Sequence, residues 1–246
     1  MNMKKHRKLI IFLTVIIVLT AGFFIYFAIG YHPDAKALAA MHSTDTVTVS
    51  EVETGWLFDG PSDTTAFIFY PGSKVDPESY APLLSQIAAG GADVFLVKMP
   101  LRFALFDMDK AGDITGSYDY DSWFIGGHSL GGYAASAYAA DHAGEFSGVI
   151  LYASYITDDL PSGLPLLLLY GTEDGVLNMD KVMKSKEKAA DCRIVEIRGG
   201  NHAQFGSYGR QRRDSDASIS PEEQWDVTVR ESLAFMGAGG AAGEVV

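Results

Sequence analysis

Residues 123–132 read WFIGGHSLGG, and the fold is decided in this stretch. Its first three residues form an apolar run typical of a buried parallel strand, and the Ala-rich residues 133–140 predict a helix. Between them lies a G-x-S-x-G pattern centred on Ser129, in which Gly127 and Gly131 let a strained turn pass close to its neighbours. The Ser129 hydroxyl is therefore expected at the carboxyl end of a strand, before helix N–H groups that suit an oxyanion. Alone, the glycines would indicate only a connection; the flanking strand and helix favour a nucleophilic serine.

Strand and helix patterns alternate through the rest of the body. The runs TAFIFY (65–70) and PLLLLY (165–170) are apolar on both faces, as interior parallel strands are, and residues 221–236 predict the last helix. This alternation predicts an α/β fold with one doubly wound, mostly parallel sheet over residues 46–237. Residues 238–246 (AGGAAGEVV) are predicted to form a flexible tail.

The N-terminus contains a long apolar segment. Residues 9–29 carry no charge and reach the roughly 20 residues that a helix needs to cross a bilayer. Four basic residues precede the segment: Lys4, Lys5, Arg7 and Lys8. Because the next basic residue is Lys36, we expect a cytoplasmic N-terminus and an extracytoplasmic body at the cell membrane. We predict an uncleaved transmembrane anchor over residues 1–30 and a linker over residues 31–45. The alternative is a signal peptide cleaved near Ala35-Lys36-Ala37, which would make the protein secreted, but its apolar region would be shorter.

The charge of the chain excludes one class of partner. The 246 residues carry a formal net charge of -12, and the first thirty contain no acidic residue, so the acidic excess lies in the body. Such a surface repels phosphate backbones, and we expect no nucleic-acid partner. The single cysteine, Cys192, excludes an internal disulfide and is interpreted as a packed core residue.

A serine hydroxyl needs a base, and the base needs an acid to orient it. On this type of sheet both are expected after Ser129, each just past a strand, with the acid first. His202, directly after the strand pattern RIVEI, is the predicted base. Asp174, in the turn after PLLLLY, is favoured as the acid over Asp158 and Asp159, although a turn-forming role would explain its position equally well. The remaining histidines have other expected uses: His6, His32 and His42 lie in or near the anchor and linker, His128 beside the nucleophile and His142 at a helix end.

Four motifs carry a resemblance to a known family. FIFYPG, GGHSLGG, YGTEDG and GGNHAQFG, in this order, resemble an α/β-hydrolase and, more narrowly, the small bacterial group related to dienelactone hydrolases and carboxylesterases. The resemblance implies an oxyanion hole formed by the backbone N–H groups of Leu130 and Ser73, where Pro71-Gly72-Ser73 replaces the more usual His-Gly-x. Dienelactone hydrolases themselves use Cys where this chain has Ser129, so their particular substrate is not implied. The short connection over residues 154–163 predicts the absence of a large cap domain, and therefore a small or exposed ester.

These observations predict a membrane-anchored serine hydrolase that cleaves a small-molecule carboxylic ester through Ser129, Asp174 and His202 and an acyl-enzyme intermediate. No metal and no cofactor are expected for this chemistry. A peptidase, amidase or acyltransferase would use the same three residues and stays open as an alternative. A non-catalytic binding protein on a hydrolase scaffold is the second alternative.

Overall fold

The computed structural model describes residues 3–238. It divides into two compact units, Met1–Gly30 and Tyr31–Val246. Of the flexible tail predicted over 238–246, all but the first residue lies outside the described part of the chain.

The first unit is a single helix, α1 (Met3–Ala28). Within it, His6–Ala28 spans 23 residues with a mean hydropathy of 2.7 in its most apolar window, which is long and apolar enough to cross a membrane. The side chains of that window are exposed. The helix therefore has the length and composition predicted for an anchor.

The second unit is built on an eight-stranded sheet. Its strands are β1 (Thr48–Val52), β2 (Gly55–Asp59), β3 (Thr65–Tyr70), β4 (Asp93–Val97), β5 (Ser122–His128), β6 (Gly148–Tyr152), β7 (Leu166–Gly171) and β8 (Cys192–Ile197). The spatial order is β1-β2-β4-β3-β5-β6-β7-β8, with β1 and β2 antiparallel to their neighbours and all other pairs parallel. The predicted mostly parallel sheet is confirmed, and its parallel part places six strand ends along one carboxyl edge.

Helices cover both faces of this sheet. They are α2 (Ala35–Ala40), α3 (Ala81–Ala89), α4 (Lys110–Thr115), α5 (Leu130–Asp141), α6 (Met179–Lys188) and α7 (Pro221–Met236). Short 3-10 turns lie at Pro77–Tyr80, Pro100–Arg102, Ala104–Phe106, Ala143–Glu145 and Ala203–Phe205.

Successive residues of β3 enter different hydrophobic clusters. Phe67 and Phe69 pack in the cluster that contains α3 and α7, whereas Ile68 and Tyr70 pack in the one that contains α5. This alternation is the period-2 pattern of a strand buried on both faces, and it explains why the β3 sequence is apolar throughout. The connection between β6 and β7, residues 153–165, contains no helix and no strand.

The segment 31–45, predicted as a linker, differs from that expectation. Its residues belong to the same compact unit as the sheet and include α2. The Tyr31 N–H donates to the carbonyl of Lys74 at 2.7 Å, and the Asp34 side chain caps α2. Composition alone gave no sign of this order, because it arises from a cap and from backbone pairing with a distant loop.

Candidate active site

Ser129 lies in the tight turn between β5 and α5. Its backbone has φ 53° and ψ -123°, a region that a residue with a Cβ enters only when its surroundings hold it there. Two bonds supply that support: the Ser129 N–H donates to the carbonyl of Tyr152 at 2.9 Å, and the Ser154 hydroxyl donates to the carbonyl of Ser129 at 2.7 Å. The sequence-predicted strand, strained turn and helix are therefore all present.

The glycines of this turn make room for the end of β3. A Cβ on Gly127 would lie 2.2 Å from the carbonyl oxygen of Tyr70, and one on Gly131 would lie 2.2 Å from that of Pro71. Both are backbone atoms and cannot move aside as a flexible side chain does. The loop that carries Ser73 consequently begins directly against the turn that carries Ser129.

Asp174 and His202 meet at the carboxyl edge of the sheet, after β7 and β8. The distance from His202 Nδ1 to Asp174 Oδ2 is 2.8 Å, and both side chains are 1% exposed. The other carboxylate oxygen, Oδ1, accepts the N–H groups of Val176 and Leu177, each at 2.8 Å. The position of Asp174 is thus compatible with both roles considered from the sequence: one oxygen closes its own turn and the other faces the imidazole.

The protonation of His202 follows from this contact. An ionised carboxylate only accepts, so Nδ1 carries the proton and donates it to Asp174. The opposite nitrogen, Nε2, is buried and has no hydrogen-bond partner among residues 3–238. In the neutral ring it holds a lone pair, which is the state that a general base needs.

A cavity of about 400 Å³ connects the serine to this histidine, since both Ser129 and His202 line it. The remaining lining residues come from α5, the β6–β7 connection, the turn between β7 and α6, and α6 itself: Leu130, Tyr133, Ala153, Ser154, Tyr155, Thr157, Val176, Leu177, Asn178 and Lys181. The alternative acids Asp158 and Asp159 are exposed, and Asp159 pairs with Lys188. Of the three acid candidates, only Asp174 contacts the predicted base.

The two predicted oxyanion donors lie on different elements. Leu130 is the first residue of α5 and lines the cavity, and N–H groups of a first helical turn have no intrahelical partner. Ser73 is half-buried in the loop after β3 and is not one of the residues that line the cavity.

Sequence reasoning set His128 aside and did not consider Tyr80. In the structure both side chains are fully buried, and the Tyr80 hydroxyl lies 2.8 Å from His128 Nδ1. The two rings of His128 and His202 have centroids 4.5 Å apart. Burial, and next the neighbouring His202, hold the pKa of His128 well below its ordinary value. No local pattern marks Tyr80, because its partner lies 48 positions further along the chain.

The fold and this arrangement of a strained serine, a histidine and an aspartate define a hydrolase of the α/β type. Residues 66–226 match the model of the alpha/beta hydrolase family, so the chain belongs to that family and the predicted resemblance is confirmed. No curated protein sequence matched the chain.

Solved structures show the same architecture. Est1E from Butyrivibrio proteoclasticus, with ferulic acid bound, is 12% identical, with a TM-score of 0.57 over 79% of this chain and 98% of its own. The thermophilic esterase Est2 from Thermogutta terrifontis is 16% identical, with a TM-score of 0.53 over 80% and 94%. At these identities the likeness is one of fold alone.

Proposed function

We propose that this protein is a serine hydrolase that cleaves a carboxylic ester through Ser129, His202 and Asp174. One observation carries the proposal: His202, which donates Nδ1–H to a buried carboxylate and whose Nε2 has no partner among residues 3–238, lines the same cavity as Ser129. This is the order of groups that activates a serine hydroxyl.

The geometry supports a two-step mechanism. Ser129 Oγ attacks the ester carbonyl carbon as Nε2 of His202 takes its proton, and Asp174 stabilises the imidazolium that forms. The backbone N–H groups of Leu130 and Ser73 donate hydrogen bonds to the negatively charged oxygen of the tetrahedral intermediate. The imidazolium then protonates the leaving alcohol, and water, activated by the same histidine, attacks the acyl-enzyme and releases the acid.

The surroundings of the site favour a small ester. The cavity holds about 400 Å³, its lining includes Leu130, Tyr133, Tyr155 and Leu177, and no helix or strand interrupts the 153–165 connection. The ferulic acid bound to Est1E and the propionate bound to a second Est2 structure suggest aromatic and short aliphatic acyl groups as the first esters to test. Matched amides in the same screen separate an esterase from an amidase or peptidase.

Covalent labelling tests the nucleophile. A fluorophosphonate probe should form its adduct on Ser129, and Ser129→Ala should abolish both the label and ester turnover, as mass spectrometry and a spectrophotometric assay would show. Ser73→Ala is the matched control, because Ser73 is expected to act through its backbone N–H and should keep the label. An adduct on another residue, or turnover that survives Ser129→Ala, would contradict the assignment.

We further propose that α1 anchors the enzyme with its body outside the cytoplasm. The basic residues before the apolar span and their absence directly after it support this orientation. Protease added to spheroplasts should digest the body while a cytoplasmic marker stays intact. If the body is protected from the protease, the orientation is the opposite of the proposed one. Release of the body into the medium would identify α1 as part of a cleaved signal peptide.

A further inference from the structure

A chain of buried hydrogen bonds lies behind the candidate triad. The Gly72 N–H donates to the Tyr80 hydroxyl oxygen at 3.0 Å, and that hydroxyl lies 2.8 Å from His128 Nδ1. On the other side of the ring, His128 Nε2 lies 3.1 Å from the backbone carbonyl oxygen of His202. We call these three bonds the buried relay.

The direction of every bond in the buried relay is fixed by chemistry. A carbonyl oxygen only accepts, so His128 Nε2 must carry a proton and donate it to His202. Burial lowers the pKa of His128, so the ring is neutral and its Nδ1 is an acceptor. The Tyr80 hydroxyl therefore donates to Nδ1 and accepts from the Gly72 N–H. All donors and acceptors along the line are satisfied, and Tyr80 and His128 are both 0% exposed.

The two ends of the buried relay are the backbones of two functional loops. Gly72 precedes Ser73, the proposed second oxyanion donor, and the His202 carbonyl belongs to the proposed base. His128 itself precedes Ser129, so the line passes through the residue before the nucleophile. The packing is tight at the Gly72 end of the buried relay, because a Cβ on Gly72 would lie 2.7 Å from His128 Nδ1 and 2.8 Å from the Tyr80 hydroxyl oxygen.

We propose that Tyr80 and His128 are positioning residues for the triad, holding the loop of Ser73 and the backbone of His202 in register with Ser129. The inference rests on the proposed function, since it assigns these residues a role in the same reaction. Neither side chain touches the substrate; each acts on the rate through the loop that it holds. A misplacement of reacting groups by about 1 Å costs on the order of 10²-fold in rate, so the effect should fall on kcat.

The chain provides a matched control in Tyr70. Its hydroxyl also accepts a backbone N–H, that of Ala111 at 2.8 Å, and donates to a carbonyl, that of Met108 at 2.7 Å. Tyr70 is likewise 0% exposed. Tyr70→Phe and Tyr80→Phe therefore remove the same kind of bonds at the same burial, and only the second breaks the buried relay.

The experiment measures kcat, KM and the rate of fluorophosphonate labelling for both variants, with the folded fraction from active-site titration and thermal unfolding. Tyr80→Phe should lower kcat and the labelling rate by about 10–100-fold with KM changed less than about threefold, whereas Tyr70→Phe leaves kcat per folded molecule near the wild-type value. If the two variants have equal kcat per folded molecule, the proposal is overturned. If wild type neither hydrolyses an ester nor reacts at Ser129, the proposed function fails as well.

Two substitutions of His128 separate the arms of the buried relay. His128→Gln can still present an N–H to the His202 carbonyl but loses the acceptor for the Tyr80 hydroxyl. His128→Asn can keep an acceptor for the Tyr80 hydroxyl but is too short to donate to the His202 carbonyl. Each should lower kcat, and adding Tyr80→Phe should cost much less on the His128→Gln background than on the wild type, because the shared bond is already absent. Fully additive effects would show that Tyr80 and His128 act on kcat independently of each other, and would overturn the proposal.

Discussion

Two buried aspartates stand at opposite edges of the same sheet. Asp174 follows β7 at the carboxyl edge, and Asp93 begins β4 at the amino edge with 2% of its surface exposed. Asp93 accepts the Tyr120 hydroxyl at 2.6 Å and the Gly60 N–H at 2.7 Å, and Asp174 accepts His202 Nδ1 and two backbone N–H groups. By burial and hydrogen bonding alone, the two carboxyl groups are alike.

The two aspartates differ in the chemistry of the groups that donate hydrogen bonds to them. Tyr120 and Gly60 are neutral groups whose bonds to Asp93 hold the start of β4, the end of β2 and the approach to β5 together. The ring of His202 has a second nitrogen without a partner among the described residues, and His202 and Ser129 line one cavity. A buried, satisfied carboxylate is therefore no sign of a site by itself. A titratable partner with a free atom at the carboxyl edge is the informative feature.

The largest expected effect distinguishes the two aspartates by turnover. Asp174→Asn offers His202 an amide in place of a carboxylate, so the imidazolium loses its stabilising charge, and kcat should fall on the order of 10³–10⁴-fold, or about 4–5 kcal/mol. Asp93→Asn should leave turnover per folded molecule near that of the wild type. Steady-state kinetics with an aryl ester would measure both.

Further variants serve as controls for the comparison of Asp174→Asn with Asp93→Asn. Asp158→Asn and Asp159→Asn are exposed controls, for which changes below about 1 kcal/mol are expected. Turnover that survives Asp174→Asn but disappears in Asp158→Asn would place the acid after β6. Thermal unfolding must accompany the assay, since Asp174 also holds the N–H groups of Val176 and Leu177.

The parts predictable from the sequence are those whose signal is local. The turn at Ser129 has its strand, glycines and helix within twenty positions, and Asp174 and His202 each follow an apolar strand by a few residues. Nothing local reveals that Tyr80 contacts His128, or that Tyr120 contacts Asp93 from 27 positions away. Such contacts can be predicted only when the order of the strands in the sheet is known.

A second comparison uses a glycine at each edge. A Cβ on Gly131 would lie 2.2 Å from the Pro71 carbonyl oxygen, and one on Gly60 would lie 2.1 Å from that of Ala88. Gly131→Ala and Gly60→Ala should each lower the free energy of unfolding by about 1–3 kcal/mol, because backbone must shift. Only Gly131→Ala should also lower turnover per folded molecule, since it displaces the loop of Ser73 from Ser129.

Gly144→Ala is the control for both, because a Cβ there meets nothing within 4 Å. It should leave stability and turnover close to wild type. Denaturant unfolding and active-site titration would separate the two effects. A folded Gly131→Ala protein with wild-type kcat would show that the packing of β3 against the turn does not set the geometry of the site.

The smallest expected effect is the pH dependence of stability that Asp93 brings. Burial, partly offset by its bonds to Tyr120 and Gly60, raises the pKa of Asp93 above its ordinary value, and the charges of Asp59 and Asp63 act in the same direction. The folded state therefore binds this proton more tightly than the unfolded state. The resulting stabilisation is fully present below the unfolded pKa of about 3.9, and it is lost as the pH rises through the folded pKa.

Asp93→Asn removes this titration while retaining an oxygen for the Gly60 N–H. The free energy of unfolding of the wild type minus that of the variant should therefore fall as the pH rises from about 3.5 and level off above the folded pKa, by about 1.4 kcal/mol for each tenfold difference in proton affinity. Urea unfolding of both proteins across this range gives the difference, in which the titrations of all other shared groups cancel. A difference that stays flat would mean that the amino edge accommodates the ionised carboxylate without cost. A difference that rises with pH would mean that the hydrogen bonds from Tyr120 and Gly60 stabilise the charged form of Asp93 more than burial opposes it.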